Sequence, residues 1–200
     1  MCIRDRDISI DLALENFKIL INKASESSNF LRIDMESSKN TDSTFKIYND
    51  LFKIYPKVGV VLQAYLKRSI ADIEKLAGPG FNARICKGIY KENKNIAYQD
   101  PEDISKNFLA MAKAMLAKNS YACYATHDLQ LIDDLVSLTK EMDADTSKFE
   151  FQVLYGVPMK GKLNELLKSG YKVRVYVPYG TDWYDYSIRR IKENPNIAGY

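Results

Sequence analysis

Apolar and polar positions alternate along the chain in blocks. Six short apolar runs stand out, at 30–33, 58–62, 83–86, 121–125, 149–154 and 173–177. Several are rich in β-branched or aromatic residues, which suits buried strands. The longer stretches between them carry helical spacing. Asp100-Pro101-Glu102-Asp103 has the makings of a helix start: a capping Asp, Pro at the first helical position and acids in the first turn. An apolar stripe follows at Ile104, Phe108, Met111 and Met115. A leading helix over 9–24 shows Ile10, Leu14, Phe17 and Ile21 on one side. The helix at 163–168 runs into Gly170, a suitable stop. Gly78-Pro79-Gly80 makes a loop before the third strand.

Strand alternating with helix predicts parallel βαβ units. An open doubly wound sheet and a closed barrel both meet that pattern. No G-x-G-x-x-G follows the first strand, which counts against a dinucleotide fold. The strand ends favour the barrel. The first five runs end at or near Asp34, Gln63, Lys87, Thr126 with His127, and Gln152, and the sixth carries Tyr176. A barrel enzyme builds its site from polar groups at that face. The expectation is an α/β chain forming one domain over 1–200, a parallel β/α (TIM-type) barrel that is incomplete, with about six of the usual eight strands. Roughly two βα units would then precede it, and residues 1–6 would be a non-native start. No internal repeat or low-complexity segment interrupts the pattern.

Composition narrows the classes. The chain has 200 residues, enough for one sizeable core. It is 46% apolar and 28% charged, the mix of a globular protein rather than a disordered one. A net charge of +3 without a Lys/Arg run gives no reason to expect nucleic acid. No apolar stretch reaches the roughly 18 residues of a membrane span, and the first residues lack the apolar core of a signal peptide. Cys2, Cys86 and Cys123 are odd in number and far apart, as reduced thiols would be. With His127 as the one histidine, an ordinary zinc site is not expected. A carboxylate-held magnesium stays open.

Candidate chemistry lies in four places. After Pro178-Tyr179-Gly180, with Thr181 as N-cap, a last helix would put Tyr186, Arg189, Arg190 and Glu193 on one side. Two guanidinium forks suit a carboxylate or phosphate, although an exposed stripe with Arg189 paired to Glu193 gives the same pattern. In Arg84-Ile85-Cys86-Lys87-Gly88-Ile89-Tyr90, two cations bracket a strand end. They would suit the reduced ring of a flavin; Lys87 would equally suit a Schiff base, and a solvated strand terminus explains both. Asp34 would orient a cation such as Arg84, or cap a turn. Thr126-His127-Asp128 would reach a cofactor, or start a helix. Gln63 would bond a ring edge, or meet solvent. Tyr90, Tyr176 and Tyr186 would wall a small pocket.

Seven runs taken in order resemble the proline dehydrogenase family, in its FAD-dependent, monofunctional bacterial form. They are Ile33-Asp34-Met35-Glu36, Val61-Leu62-Gln63-Ala64-Tyr65, the Arg84 to Tyr90 run, Ala125-Thr126-His127-Asp128, Glu150-Phe151-Gln152-Val153-Leu154-Tyr155-Gly156, Arg174-Val175-Tyr176-Val177-Pro178-Tyr179-Gly180 and Tyr186-Ser187-Ile188-Arg189-Arg190. The resemblance implies oxidation of L-proline to Δ1-pyrroline-5-carboxylate, the first step of proline catabolism, with FAD and with a quinone or other electron acceptor. It implies that Asp34 and Arg84 stand at the reacting centre. Met35, Gln63, Lys87, Gly88, Ile89, Thr126 and His127 would line the cofactor. Tyr90, Leu154, Tyr176 and Tyr186 would wall the substrate ring, and Arg189 and Arg190 would clamp its carboxylate. A cytoplasmic location follows, with a peripheral contact to the inner membrane. Two residues depart from the family's habit: Cys86 stands for Val and Ile89 for Ala. An N-terminal active-site Lys of the family has no counterpart here, so the chain would be N-terminally truncated. The competing readings are a Schiff-base or phosphate-binding barrel lyase, with Lys87 as nucleophile, and an inactive barrel fragment.

Overall fold

The structure is a computed structural model, and it describes residues 8–181, 183, 184 and 188. The chain divides into two compact units, Met1–Ala122 and Cys123–Tyr200. The first holds α1 (Ile10–Glu26), β1 (Leu31–Ile33), a 3₁₀ turn (Ser38–Asn40), α2 (Thr41–Ile54), β2 (Val58–Gln63), α3 (Ser69–Leu76), β3 (Asn82–Cys86) and α4 (Pro101–Ala117). The unit boundary falls within β4 (Tyr121–Ala125). The second unit continues with α5 (Leu129–Glu141), a 3₁₀ turn (Thr146–Lys148), β5 (Phe149–Leu154), α6 (Lys162–Lys168) and β6 (Val173–Tyr176).

The strands follow chain order in the sheet. In the first unit β1 pairs parallel with β2, and β2 with β3. In the second, β5 pairs parallel with β6. Parallel neighbours joined by helices give the α/β class expected, a TIM-type barrel fold with six strands among the described residues, where a full barrel has about eight. β2 is buried at all six positions, as a strand covered on both faces must be.

Local chemistry accounts for the helix bounds. Ser9 caps α1 by accepting from the Asp11 and Leu12 amides. Its buried stripe is Ala13, Phe17 and Ile21. Ile10, expected in that stripe, is 39% exposed, because it sits in the first turn where the helix meets water. Asp100 caps α4 through the Glu102 and Asp103 amides, and Pro101 opens the helix. Phe108, Met111, Ala112 and Met115 are its buried face, the expected stripe with Ala112 in place of the half-buried Ile104. α6 ends at Ser169, followed by Gly170 at φ +82°, a conformation that favours glycine.

Each unit has its own core. In the second, Tyr124, Phe149, Phe151 and Tyr171 form an aromatic cluster, with ring centroids 5.5 Å apart for Tyr124–Phe151 and 5.7 Å for Phe151–Tyr171. Such tilted and edge-on pairs add about 1 kcal/mol each beyond burial. In the first, the sheet face carrying Arg32 is polar. Arg32 Nη1 donates to the carbonyls of Val60 (2.9 Å) and Asn82 (3.1 Å), and Nη2 to Asn82 Oδ1 (2.6 Å). The guanidinium thereby crosses β2 at Gly59. A Cβ there would come within 2.5 Å of the Asn82 carbonyl and 2.8 Å of Arg32 Nη1, so only glycine lets the side chain pass.

The capping account makes a quantitative prediction. Asp100→Ala leaves two amides of α4 without their acceptor and lowers stability by about 1 kcal/mol. Urea unfolding reads this as a lower midpoint at unchanged slope; an unchanged midpoint would mean the cap is redundant.

Candidate active site

Three parallel strands bring their carboxyl ends to one edge of the first unit. In register, Ile33 lies beside Val60, Val61 beside Arg84, and Gln63 beside Cys86. Asp34 follows β1 directly, and Arg84 projects from β3. Arg84 Nη1 donates to Asp34 Oδ1 at 3.2 Å across the intervening strand. The two side chains are 24% and 43% exposed, so the pair contributes less than about 1 kcal/mol to stability. Its consequence is geometric: it turns the Arg84 guanidinium across β2 toward the end of β1.

The loops beyond these strands are tied together. β2 and β3 continue to pair past their ends, with the Ala64 amide on the Cys86 carbonyl (2.7 Å) and the Tyr65 amide on that of Lys87 (2.9 Å). Gly88 then turns with φ +110°, and a Cβ on it would stand 2.4 Å from the Tyr65 ring. Both facts require glycine there. Burial pushes the Tyr65 phenol above its ordinary value, and the negative charge of Glu92 adds to the shift. Lys87 is half-buried. Ile89 and Tyr90 follow, 57% and 36% exposed. The thiol of Cys86 is pushed up to about 11, mainly by burial, and is inert at neutral pH.

Gln63 does not face solvent. It is buried, and its Nε2 donates to the Glu36 carbonyl at 2.9 Å. It thus anchors the segment Asp34–Ser37, in which Met35 is also buried. Glu36 is buried too and accepts from Asn40 Nδ2 at 2.9 Å. Sequence reading did not single out Glu36, Asn40, Ser38 or Glu92. Ser38 donates its amide to Glu92 Oε1 (2.7 Å) and its hydroxyl to Oε2 (2.8 Å). No local pattern announces a bond between residues 54 positions apart.

In the second unit, the Thr126 hydroxyl accepts the Asp128 amide (3.1 Å), and Asp128 caps α5 through the Leu131 amide (3.2 Å). Asp128 is thus the N-cap of the helix that this run was expected to start. His127 Nε2 accepts the Leu154 amide at 2.8 Å. The imidazole is therefore neutral, with its proton on Nδ1. Partial loss of water around the ring holds its pKa below the ordinary value. Leu154 ends β5, in register with Tyr176 of β6, which is 46% exposed. On the same face, Arg174 forks onto the buried Glu150 carboxylate (2.6 and 2.9 Å), which also accepts from Gln152 Nε2 (2.6 Å). This carboxylate was likewise not singled out; the signal was its position two residues before Gln152, which pairs in register with Arg174.

In the first unit, Asp34, Met35, Gln63, Lys87, Gly88, Ile89 and Tyr90 lie at or beyond the ends of β1, β2 and β3, and Arg84 lies within β3, two residues before its end. The second gathers Thr126, His127, Leu154 and Tyr176 at the ends of β4, β5 and β6. Tyr186, Arg189 and Arg190 lie outside the described residues. Among the described residues no three His, Cys, Asp or Glu side chains are grouped to hold a metal, and no helix is long and apolar enough to cross a membrane.

Comparison with known proteins now decides the family. The family model for proline dehydrogenase matches residues 2–199. The chain belongs to the proline dehydrogenase family. It is 39% identical over 199 residues to proline dehydrogenase 1 of Bacillus subtilis, covering 97% of this chain and 64% of that protein. It is 38% identical over 192 residues to proline dehydrogenase of Deinococcus radiodurans, covering 95% and 62%. The chain therefore spans somewhat less than two thirds of the length of these relatives. Among solved structures, proline utilization A of Bdellovibrio bacteriovorus, inactivated by N-propargylglycine, superposes with a TM-score of 0.83 at 22% identity. That match covers 94% of this chain and 22% of the larger protein. At this identity the likeness speaks for the fold.

The single histidine offers a clean titration. Its folded pKa is lowered from 6.5, so as pH falls below 6.5 the unfolded chain takes up the proton first. The stability that His127 contributes is present above that pH and is lost as pH drops through the folded midpoint. An NMR titration of the imidazole should give a midpoint below 6.5, with the Leu154 amide shift following the same curve. A midpoint at or above 6.5 would refute the Nε2–amide bond.

Proposed function

We propose that the protein to which this sequence belongs oxidises L-proline to Δ1-pyrroline-5-carboxylate with FAD as its cofactor. The observation that carries the reading is the pair of Arg84, within β3, with Asp34, just past the end of β1, in a chain that matches this family from residue 2 to residue 199. In this reading the two compact units are parts of one barrel domain. A Schiff-base lyase built on Lys87 draws no support from that family match.

The donor set of the first unit suits a flavin. Arg84 stands within β3 with Lys87 three residues on, and the buried Gln63 amide lies beside them. Ile89, bulkier than the family's usual Ala, is 57% exposed, so its extra carbons displace nothing in the chain itself. Met35, Gln63, Lys87, Gly88, Ile89, Thr126 and His127 would hold the cofactor. Bound FAD supplies an acceptor for the hydride that proline gives up. Arg84 and Lys87 provide positive charge where electrons are added, and a charge already in place needs no reorganisation during the reaction. Asp34 keeps the Arg84 fork aimed. Tyr90, Leu154, Tyr176 and Tyr186 wall the pyrrolidine ring. Arg189 and Arg190 hold its carboxylate in two forks, because so small a substrate needs an anchor at one end to present its carbon at the other. The electron acceptor in this reading is a quinone or another oxidant, reached from the cytoplasm with a peripheral contact to the inner membrane.

Two measurements test the proposal in the protein with its barrel complete. L-Proline should bleach the visible absorbance of the bound flavin under anaerobic conditions; a loaded protein whose spectrum ignores proline would overturn the assignment. Arg189→Ala or Arg190→Ala removes a charged hydrogen bond costing roughly 2–5 kcal/mol in a buried site, so the proline KM should rise by about 30-fold or more. Wild-type KM in both variants would remove the clamp.

A further inference from the structure

We propose that Glu92 is a positioning residue. Through Ser38 it sets the loop that carries Gly88, Ile89 and Tyr90 against the segment that carries Asp34 and Met35. The role in catalysis rests on the proline-oxidising reading above; the latch itself does not.

The loop between β3 and α4 is long, and its two ends are tied to backbone. At its start, the Tyr65 amide bonds the Lys87 carbonyl (2.9 Å). At its end, Leu66 and Ala97 form an antiparallel bridge, the Lys67 amide bonds the Ile96 carbonyl (3.0 Å), and the Tyr98 amide bonds the Tyr65 carbonyl (2.7 Å). Glu92 supplies a side-chain anchor in the middle. Both of its carboxylate oxygens go to one residue, to the Ser38 amide at 2.7 Å and the Ser38 hydroxyl at 2.8 Å. These are charge-assisted bonds, short and directional.

Ser38 opens the 3₁₀ turn Ser38–Asn40 that leads into α2. As the first residue of that turn, Ser38 has an amide with no partner inside the turn. A carboxylate also suits the positive end of a helical segment. Glu92 meets both needs from 54 residues away. Tyr90 lies two residues before it, and Asp34 four residues before Ser38. The latch therefore joins two loops at the face where barrel enzymes build their sites, rather than two strands of the core. A contact in that place fixes the distance between the Tyr90 side and the Asp34 side of the site.

Glu92→Gln can keep both bonds, since its carbonyl accepts the amide and its NH₂ donates to the hydroxyl oxygen. Glu92→Ala keeps neither. Hydrogen exchange followed by mass spectrometry, on the protein with and without added FAD, should show amides 88–96 exchanging about tenfold faster in Glu92→Ala, with Glu92→Gln restoring the wild-type pattern. In proline-dependent flavin reduction, Glu92→Ala should raise KM at least about fivefold while kcat falls less than about threefold, and Glu92→Gln should recover most of the loss. Faster exchange spread evenly over β1, β2 and β3 would reduce Glu92 to a general stabiliser and overturn the proposal, as would unchanged exchange or unchanged KM. Should Glu92→Ala not fold, Ser38→Ala removes the hydroxyl bond alone and should speed the same amides about threefold; no change there also overturns the proposal. If the wild-type protein binds FAD but is not reduced by proline, the functional reading falls, while the exchange data still decide the latch.

Discussion

Arg84 reaching across β2 to Asp34 is the contact around which the described part of the site is arranged. Three adjacent parallel strands put their carboxyl ends together, but a sheet rim by itself leaves charged side chains to wander in solvent. The Asp34 carboxylate restricts Arg84 to one direction. The pair is too wet to stabilise the fold appreciably, so its value lies in where it holds the charge. Neighbouring contacts keep its two ends in place. Gln63 holds the Glu36 carbonyl, Asn40 holds the Glu36 carboxylate, and Glu92 holds Ser38. On the same sheet face, toward the strand starts, Arg32 crosses Gly59 to Asn82 and ties the same three strands.

The second unit uses the same economy of means. An aromatic cluster forms one side of its β5 strand, while Glu150, Gln152 and Leu154 face the other way. There a buried carboxylate is satisfied by the Arg174 fork and the Gln152 amide, so its charge is not stranded in a low-dielectric interior. His127 contributes a neutral ring nitrogen to the Leu154 amide, which orders the end of β5 without adding a cation. The strand ends of the first unit carry Arg84 and Lys87, whereas those of the second carry Thr126, His127, Leu154 and Tyr176.

Much of this was legible in the residue pattern. Strands announced themselves as apolar runs stopped by a polar residue, and β4 and β5 fall on the expected residues, although β5 carries Glu150 and Gln152 on the face away from its aromatic cluster. α4 was legible from Asp100 and Pro101 because capping is a local matter. The pairing of Asp34 with Arg84 was raised as one reading of Asp34, an acid placed directly after an apolar run. Contacts that cross the sheet were not legible. Glu92 to Ser38 and Arg32 to Asn82 depend on which strands are neighbours and in what register, and no short-range spacing encodes that. For Gln63 the solvent reading fails, because the side chain is buried with its amide on the Glu36 carbonyl of the segment after β1. Ile10 matched the helical period of α1 yet is exposed, since periodicity fixes the face of a residue and not whether anything covers that turn.

The midpoint potential of the bound flavin tests the central idea most directly. If Arg84, aimed by Asp34, supplies positive charge beside the reduced ring, then Arg84→Met should shift the potential to a more negative value, and Arg84→Lys, which keeps the charge but not the fork, should shift it in the same direction by less. Potentials equal to the wild type in both variants, with FAD still bound, would contradict the role assigned to this pair.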